Sequence, residues 1–189
     1  MLRAPAVSGW PDPSRYGAVV ALGSDRSVHA SPDPWIAEEI RFLRAAHDAG
    51  VPVLGLCFGG QALAAALGAT VARAPCVEIG WVELDVPPGG PVDPGPWFTW
   101  HEDAFSLPAG ATALGRSEAG LQGFRLGSST GLQFHPEVDP AIVARWVQDG
   151  GRALADEGID APSLLEQTAR LAPAAERRAM ALFDALLPV

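Results

Sequence analysis

Two short stretches hold residue types that together can do covalent chemistry on a carbonyl carbon. In VPVLGLCFGGQALA (51–64) an apolar run turns through Gly55-Leu56-Cys57-Phe58-Gly59-Gly60 into small apolar residues, and in GLQFHPEV (131–138) His135 stands two residues before Glu137. A cysteine on an abrupt strand-to-helix turn between glycines has the form of a nucleophile elbow, a tight turn where side chains collide with nearby backbone. The helix that follows starts with partial positive charge, which favours thiolate over thiol, and the amide of Phe58 is placed to donate to a developing oxyanion. Taken alone, Cys57 reads more readily as a small buried hydrophobe, because free cysteine is among the most buried residue types. His135 and Glu137 change the balance. In an extended segment residues two apart share a face, so the carboxylate can orient the imidazole while the other ring nitrogen faces the thiol. The expectation is a nucleophile, base and orienter made of Cys57, His135 and Glu137.

The elements that must position them are legible in outline. YGAVVAL (16–22) and VPVLGLC (51–57) are continuous apolar runs, as expected of strands buried on both faces. Between them Asp33 and Pro34 open a helix that carries Ile36, Ile40 and Leu43 at helical spacing and stops at Gly50, and GGQALAAAL forms a second helix closed by Gly68. Strand, helix, strand, helix implies a parallel sheet with crossover helices. Beyond Thr70 short alternating segments at 77–86, 97–100, 121–126 and 131–135, separated by Pro- and Gly-rich turns, read as an antiparallel addition. After Pro140 the chain reads as helices, with turns at Gly150, Gly158 and Pro173. The predicted fold class is α/β: a flavodoxin-like open, mostly parallel sheet flanked by helices, with a small antiparallel addition and a helical C-terminus, forming one domain over 1–189.

Composition excludes several classes of function. The net charge is −9 and the 13 basic residues, all arginine, form no cluster, which argues against nucleic acid as a partner. No apolar run approaches the about eighteen residues needed to span a bilayer, and the N-terminus lacks the pattern of a signal peptide, so no membrane partner and a cytoplasmic location are expected. Cys57 and Cys76 have no His or Cys at metal-ligand spacing, so neither a metal nor another cofactor is expected, and Cys76 reads as structural. His29 and His47 read as loop and helix-surface residues.

Gly55-Leu56-Cys57-Phe58-Gly59-Gly60-Gln61 followed by His135-Pro136-Glu137 resembles the class I glutamine amidotransferases, whose catalytic domain carries Gly-x-Cys-x-Gly-x-Gln and a later His-Pro-Glu. Tyr16 to about Val138 is covered, including Glu78-Ile79-Gly80-Trp81 and Trp100-His101-Glu102-Asp103, and the likeness is to members similar to the amidotransferase part of GMP synthase. The resemblance implies a glutaminase half-reaction through a γ-glutamyl thioester. It implies oxyanion donors at Gly23, Ser24 and Phe58, substrate contact at Gln61, and a site lined by Gly55, Trp100 and His101. Its ligand is glutamine or another γ-glutamyl compound, and the chain is expected to be either a stand-alone glutaminase-type hydrolase or the half of a complex that passes ammonia to an acceptor site on another domain or a synthase subunit.

Two departures from the family pattern carry expectations of their own. Gly23-Ser24-Asp25 stands where the family has Gly-Gly-Pro; a positive φ at Ser24 would cost about a kilocalorie per mole or more, and an inward Asp25 would oppose an oxyanion. Reduced activity, or activity that needs a partner to order the loop, is expected. The family's first strand, helix and second strand have no counterpart before Tyr16, which reads as a short N-terminus or a start placed too far downstream and leaves 16–22 as an open sheet edge inviting a homodimer or another chain. A γ-glutamyl peptidase built on the same triad, and a non-catalytic partner subunit, remain open at this point. An α/β-hydrolase with a cysteine elbow does not, since there the acid precedes the histidine.

Overall fold

A computed structural model describes residues 9–187; the first eight residues, part of the N-terminal lead read above, and the last two lie outside it. After one 3₁₀ turn at Pro13–Arg15 the order is β1 (Val19–Ala21), α1 (Pro34–Asp48), β2 (Val53–Leu56), α2 (Phe58–Ala66), β3 (Val71–Glu83) and β4 (Pro96–Phe105). There follow β5 (Thr112–Ser117), β6 (Gly120–Leu126), β7 (Ser129–Leu132), α3 (Pro140–Asp149), α4 (Gly151–Asp156) and α5 (Ala161–Leu186). The main sheet runs β1-β2-β7-β6-β5, with β1, β2 and β7 parallel and β6 and β5 antiparallel beyond them. β3 and β4 pair as a separate antiparallel ribbon. The flavodoxin-like α/β class expected from the sequence is what is found. Among the described residues no helix is long and apolar enough to cross a membrane.

Two elements differ from their sequence reading. The segment around 131 is not part of an antiparallel addition: β7 lies between β2 and β6 at the centre of the sheet, with all four residues buried. Its sequence, Ser-Thr-Gly-Leu, hides this because the space is filled from outside, the Phe124 ring lying where a Cβ on Gly131 would stand, 2.4 Å from the ring edge. The expected break at Pro173 is also missing, and α5 runs through it. Proline removes one helical hydrogen bond there, but Leu164, Thr168, Ala172, Ala175, Ala179, Leu182 and Leu186 keep one buried stripe on both sides of it. Continuous burial of that stripe offsets the lost bond.

Among the described residues β1 is an edge of the main sheet, as the sequence led us to expect. Tyr16, Val20 and Leu22 are 43%, 46% and 50% exposed, and a cavity of about 470 Å³ opens beside them against Trp10, Trp35, Phe42 and Glu39. Glu39 is only 8% exposed, and burial pushes its carboxyl up to about 7. A folded-state value above the ordinary 4.5 means that the fold favours the protonated form. Stability is therefore lost as pH rises from about 4.5 to about 7 and stays lower above that. Glu39→Gln keeps the shape without the charge. Urea denaturation is expected to show the variant more stable by about 1–3 kcal/mol near pH 8, with the gain fading below about pH 5; an equal gain at both pH values would contradict burial of an ionised carboxylate.

Candidate active site

Cys57 joins β2 to α2 with φ 51°, the one positive φ of a non-glycine residue among the described residues. Such a conformation costs about 1–3 kcal/mol and persists only where the surroundings enforce it. Here three glycines and one hydrogen bond do so. The Cys57 amide donates to Leu132 O on β7 at 2.8 Å. A Cβ on Gly55 would lie 2.4 Å from Gly59 O, one on Gly59 2.2 Å from Ala21 O of β1, and one on Gly60 2.4 Å from Leu132 O. The first turn of α2 thus sits directly on the backbones of β1 and β7, and the chain can make that contact only by turning sharply at Cys57.

The sulfur meets groups brought from other elements. Cys57 Sγ lies 3.7 Å from the Trp100 carbonyl of β4 and 3.8 Å from Nε2 of Gln133, just past β7. The His135 backbone amide donates to Phe98 O of β4 at 2.7 Å, and its Nδ1 lies 2.7 Å from Glu137 Oε1. His135 and Glu137 are not in an extended strand; residues 136 and 137 form a turn that swings the carboxylate back to the ring. Burial by itself lowers the affinity of the imidazole for a proton, but the charge and hydrogen bond of Cys57, together with those of Glu137, outweigh it and push His135 up to about 10. Trp146 of α3 packs edge-on against that ring, with centroids 4.8 Å apart and planes at 72°.

Cys57, His135 and Glu137 share one cleft of about 710 Å³, walled by Leu22 to Asp25, by Trp100, and by Ile142, Arg145, Trp146 and Asp149 of α3. Gly23 belongs here: a Cβ on it would lie 3.3 Å from the His135 ring and 3.9 Å from Cys57 Cβ. The strain expected at Ser24 is not found, because its φ is not positive. Its Oγ accepts from the Arg26 amide at 3.2 Å. Asp25 does not point inward either; its side chain is 84% exposed, beside Arg26. The loop is tied down elsewhere, by Ser27 Oγ donating to Asp103 Oδ2 at 2.6 Å and by His29 Nε2 at 3.1 Å from Asp103 Oδ1.

Three residues that the sequence reading placed at the substrate do not line the cleft. Gly55 packs under Gly59 inside the elbow. His101 is buried with Nε2 3.2 Å from Glu78 Oε2 and Nδ1 3.0 Å from Asp103 O. Gln61 lies behind the sulfur, its Nε2 donating to Asp103 O at 3.2 Å and to Gln133 Oε1 at 3.3 Å. The reasons differ: the first turn of α2 covers Gly55, whereas the β3–β4 ribbon, packed against α2, buries His101 and Gln61. Conversely, the sequence reading passed over Gln133 and Trp146. Gln133 stood in plain view two residues before His135, whereas Ile142, Arg145, Trp146 and Asp149 carried only the helical spacing that any helix face has.

Comparison with known proteins bears on this arrangement. The model of the family glutamine amidotransferase class-I matches residues 28–145. GMP synthase [glutamine-hydrolyzing] of Corynebacterium jeikeium is 32% identical over 131 residues, covering 64% of this chain and 24% of that protein. The chain therefore spans about a quarter of the length of such relatives. The crystal structure of a glutamine amidotransferase from Thermotoga maritima superposes with a TM-score of 0.84 at 31% identity, over 92% of this chain and 79% of that one. That of a glutamine amido transferase from Methylobacillus flagellatus gives 0.85 at 28% identity, over 95% and 79%.

Two outcomes are expected from the geometry. Gly59→Ala drives a methyl group into the Ala21 carbonyl and should lower stability by about 2–4 kcal/mol or prevent folding. Gly151→Ala, with open space at that position, should be nearly neutral, and denaturation of the pair checks the difference. The second outcome concerns His135. Its folded-state value lies above the ordinary 6.5, so bound-proton stabilisation is complete below that pH and is lost as pH rises through about 10. The stability gap between wild type and His135→Gln should shrink from neutral pH toward about pH 10; a gap that widens would contradict the pairing.

Proposed function

The chain belongs to the class I glutamine amidotransferase family, and from that premise we propose that it hydrolyses the side-chain amide of glutamine through Cys57, His135 and Glu137. Cys57 thiolate attacks the amide carbon, forming a C–S bond. Protonated His135 gives its proton to the nitrogen, the C–N bond breaks, and ammonia leaves. Water then adds to the γ-glutamyl thioester as His135 takes its proton, the C–S bond breaks, and glutamate departs. Glu137 at 2.7 Å holds the ring and stabilises its cation. The oxyanion is taken by the amide of Phe58, at the start of α2, with Gly23 and Ser24 supplying the facing loop. Trp100 walls the substrate.

The observation that carries this reading is the strained backbone at Cys57 opposite a carboxylate-bound histidine. A buried structural cysteine has no need of a φ of 51°. The unstrained Ser24 and the solvated Asp25 remove the reasons for expecting weak activity. The whole chain then acts as one amidotransferase domain, working in the cytoplasm without a cofactor and delivering ammonia to a synthase partner. A second substrate class, γ-glutamyl peptides, is favoured by the breadth of the cleft, which reaches from Asp25 to Asp149.

Glutamate release from glutamine and from γ-glutamyl peptides measures both readings. Wild type should hydrolyse one of them, and Cys57→Ala should lose about a thousandfold or more of that activity. Turnover surviving the substitution would overturn the mechanism, and preference for the peptide would select the second substrate class.

A further inference from the structure

Resting on that reading, we propose that Gln133 stabilises the Cys57 sulfur in its thiolate form, its carboxamide donating a hydrogen bond to Sγ in an orientation that Gln61 enforces. Besides the protonated His135 imidazole, whose charge favours the thiolate, the sulfur has two polar neighbours with opposite preferences. The Trp100 carbonyl at 3.7 Å can only accept, so it is satisfied by the thiol and not by the thiolate. Nε2 of Gln133 at 3.8 Å donates, and a donor bonds the anion better than the neutral form. Beyond what His135 contributes, the balance at the sulfur therefore depends on which end of the Gln133 carboxamide faces it.

That end is settled by a chain of hydrogen bonds anchored in backbone. The Asp103 carbonyl accepts from Nε2 of Gln61 at 3.2 Å, and a backbone carbonyl cannot exchange donor for acceptor. The same Nε2 donates to Oε1 of Gln133 at 3.3 Å, which turns the Gln133 nitrogen toward Cys57. Gln133 is fully buried and Gln61 is 4% exposed, so neither amide has bulk solvent to turn to instead. The sequence resemblance placed Gln61 against substrate; its Nε2 in addition makes it a positioning residue for Gln133.

The arrangement serves both halves of the reaction. It favours the attacking thiolate, and when the C–S bond of the thioester breaks and its electron pair returns to sulfur, the same N–H is aimed at the charge that develops. Gln133 does not wall the substrate cleft, so its removal should lower kcat with little change in KM.

The test is the pH profile of Cys57 alkylation by iodoacetamide, in the absence of glutamine, on a Cys76→Ser background because Cys76 is exposed and would react. Gln133→Leu removes the donor. Gln133→Glu, nearly isosteric, sets an acceptor against the sulfur and serves if the leucine variant does not fold. Both profiles should move to higher pH, with the rate at neutral pH falling about tenfold and the high-pH plateau kept, as expected for loss of one charge-assisted hydrogen bond. Gln61→Leu, which frees the Gln133 amide to turn, should move the profile by a smaller amount. A folded Gln133 variant whose profile superimposes on wild type, or whose plateau drops without a displacement, overturns the proposal. Because alkylation requires no substrate, a wild-type chain inert toward glutamine would sink the proposed function without deciding this point.

Discussion

The contact on which the rest of the molecule depends is the close approach of the first turn of α2 to the backbones of β1 and β7. Gly59 touches Ala21 O and Gly60 touches Leu132 O at distances that leave no room for a methyl group. Helix and sheet normally keep side chains between them. Removing that layer lowers the helix N-terminus onto the strand ends, and the link between β2 and α2 must then be made in a single residue. Cys57 takes the strained φ as a result, its side chain pushed out of the strand path and into the cleft. Placement of the thiol, of the Phe58 amide and of the strain all follow from three absent Cβ atoms.

The second requirement is that groups from distant parts of the chain meet at that thiol, and β4 arranges this. Phe98 O holds the His135 amide, Trp100 O faces the sulfur, Asp103 O holds Gln61 and His101, and the Asp103 carboxylate ties down Ser27 and His29 of the loop before α1. One strand of a small ribbon thus supports the base, the sulfur's surroundings and the loop bearing Gly23. Buried polar networks of this kind specify geometry because each unpaired member would carry a desolvation cost. The price of that order is a set of polar residues withdrawn from the cleft, Gln61 and His101 among them.

The β1 side is organised differently. There the sheet ends in exposed Val20 and Leu22 next to an apolar cavity that contains a carboxyl held near neutrality, Glu39. The same loop that leaves β1 supplies Gly23 and Ser24 to the cleft at Cys57, and Leu22, Gly23 and Ser24 border both spaces. Phe58, next to the thiol, packs its ring on Trp35 at 5.5 Å on that same side. The edge and the site therefore share walls.

How much of this was legible in the sequence depends on whether the signal was local. The α/β class, β1 to α2, the elbow, and the Cys57, His135 and Glu137 set could be read directly, because apolar runs, helical spacing and a Gly-flanked cysteine are properties of short windows. The central place of β7 could not be read, because Ser129, Thr130 and Gly131 are buried without being apolar themselves, Gly131 under the Phe124 ring. Nor could the passage of α5 through Pro173, where packing over both halves outweighs a local preference. Sequence by itself singled out Cys57, His135 and Glu137 and the backbone turn that displays the thiol. Only the tertiary structure decided that Ser24 is unstrained, that Gln61 and His101 face away from the cleft, and that Gln133 and Trp146 touch the thiol and the imidazole. Those outcomes are set by the packing of β4 against α2 and of Trp146 in α3 against Phe98, Trp100 and His135, and such long-range contacts leave no periodicity in the chain that makes them.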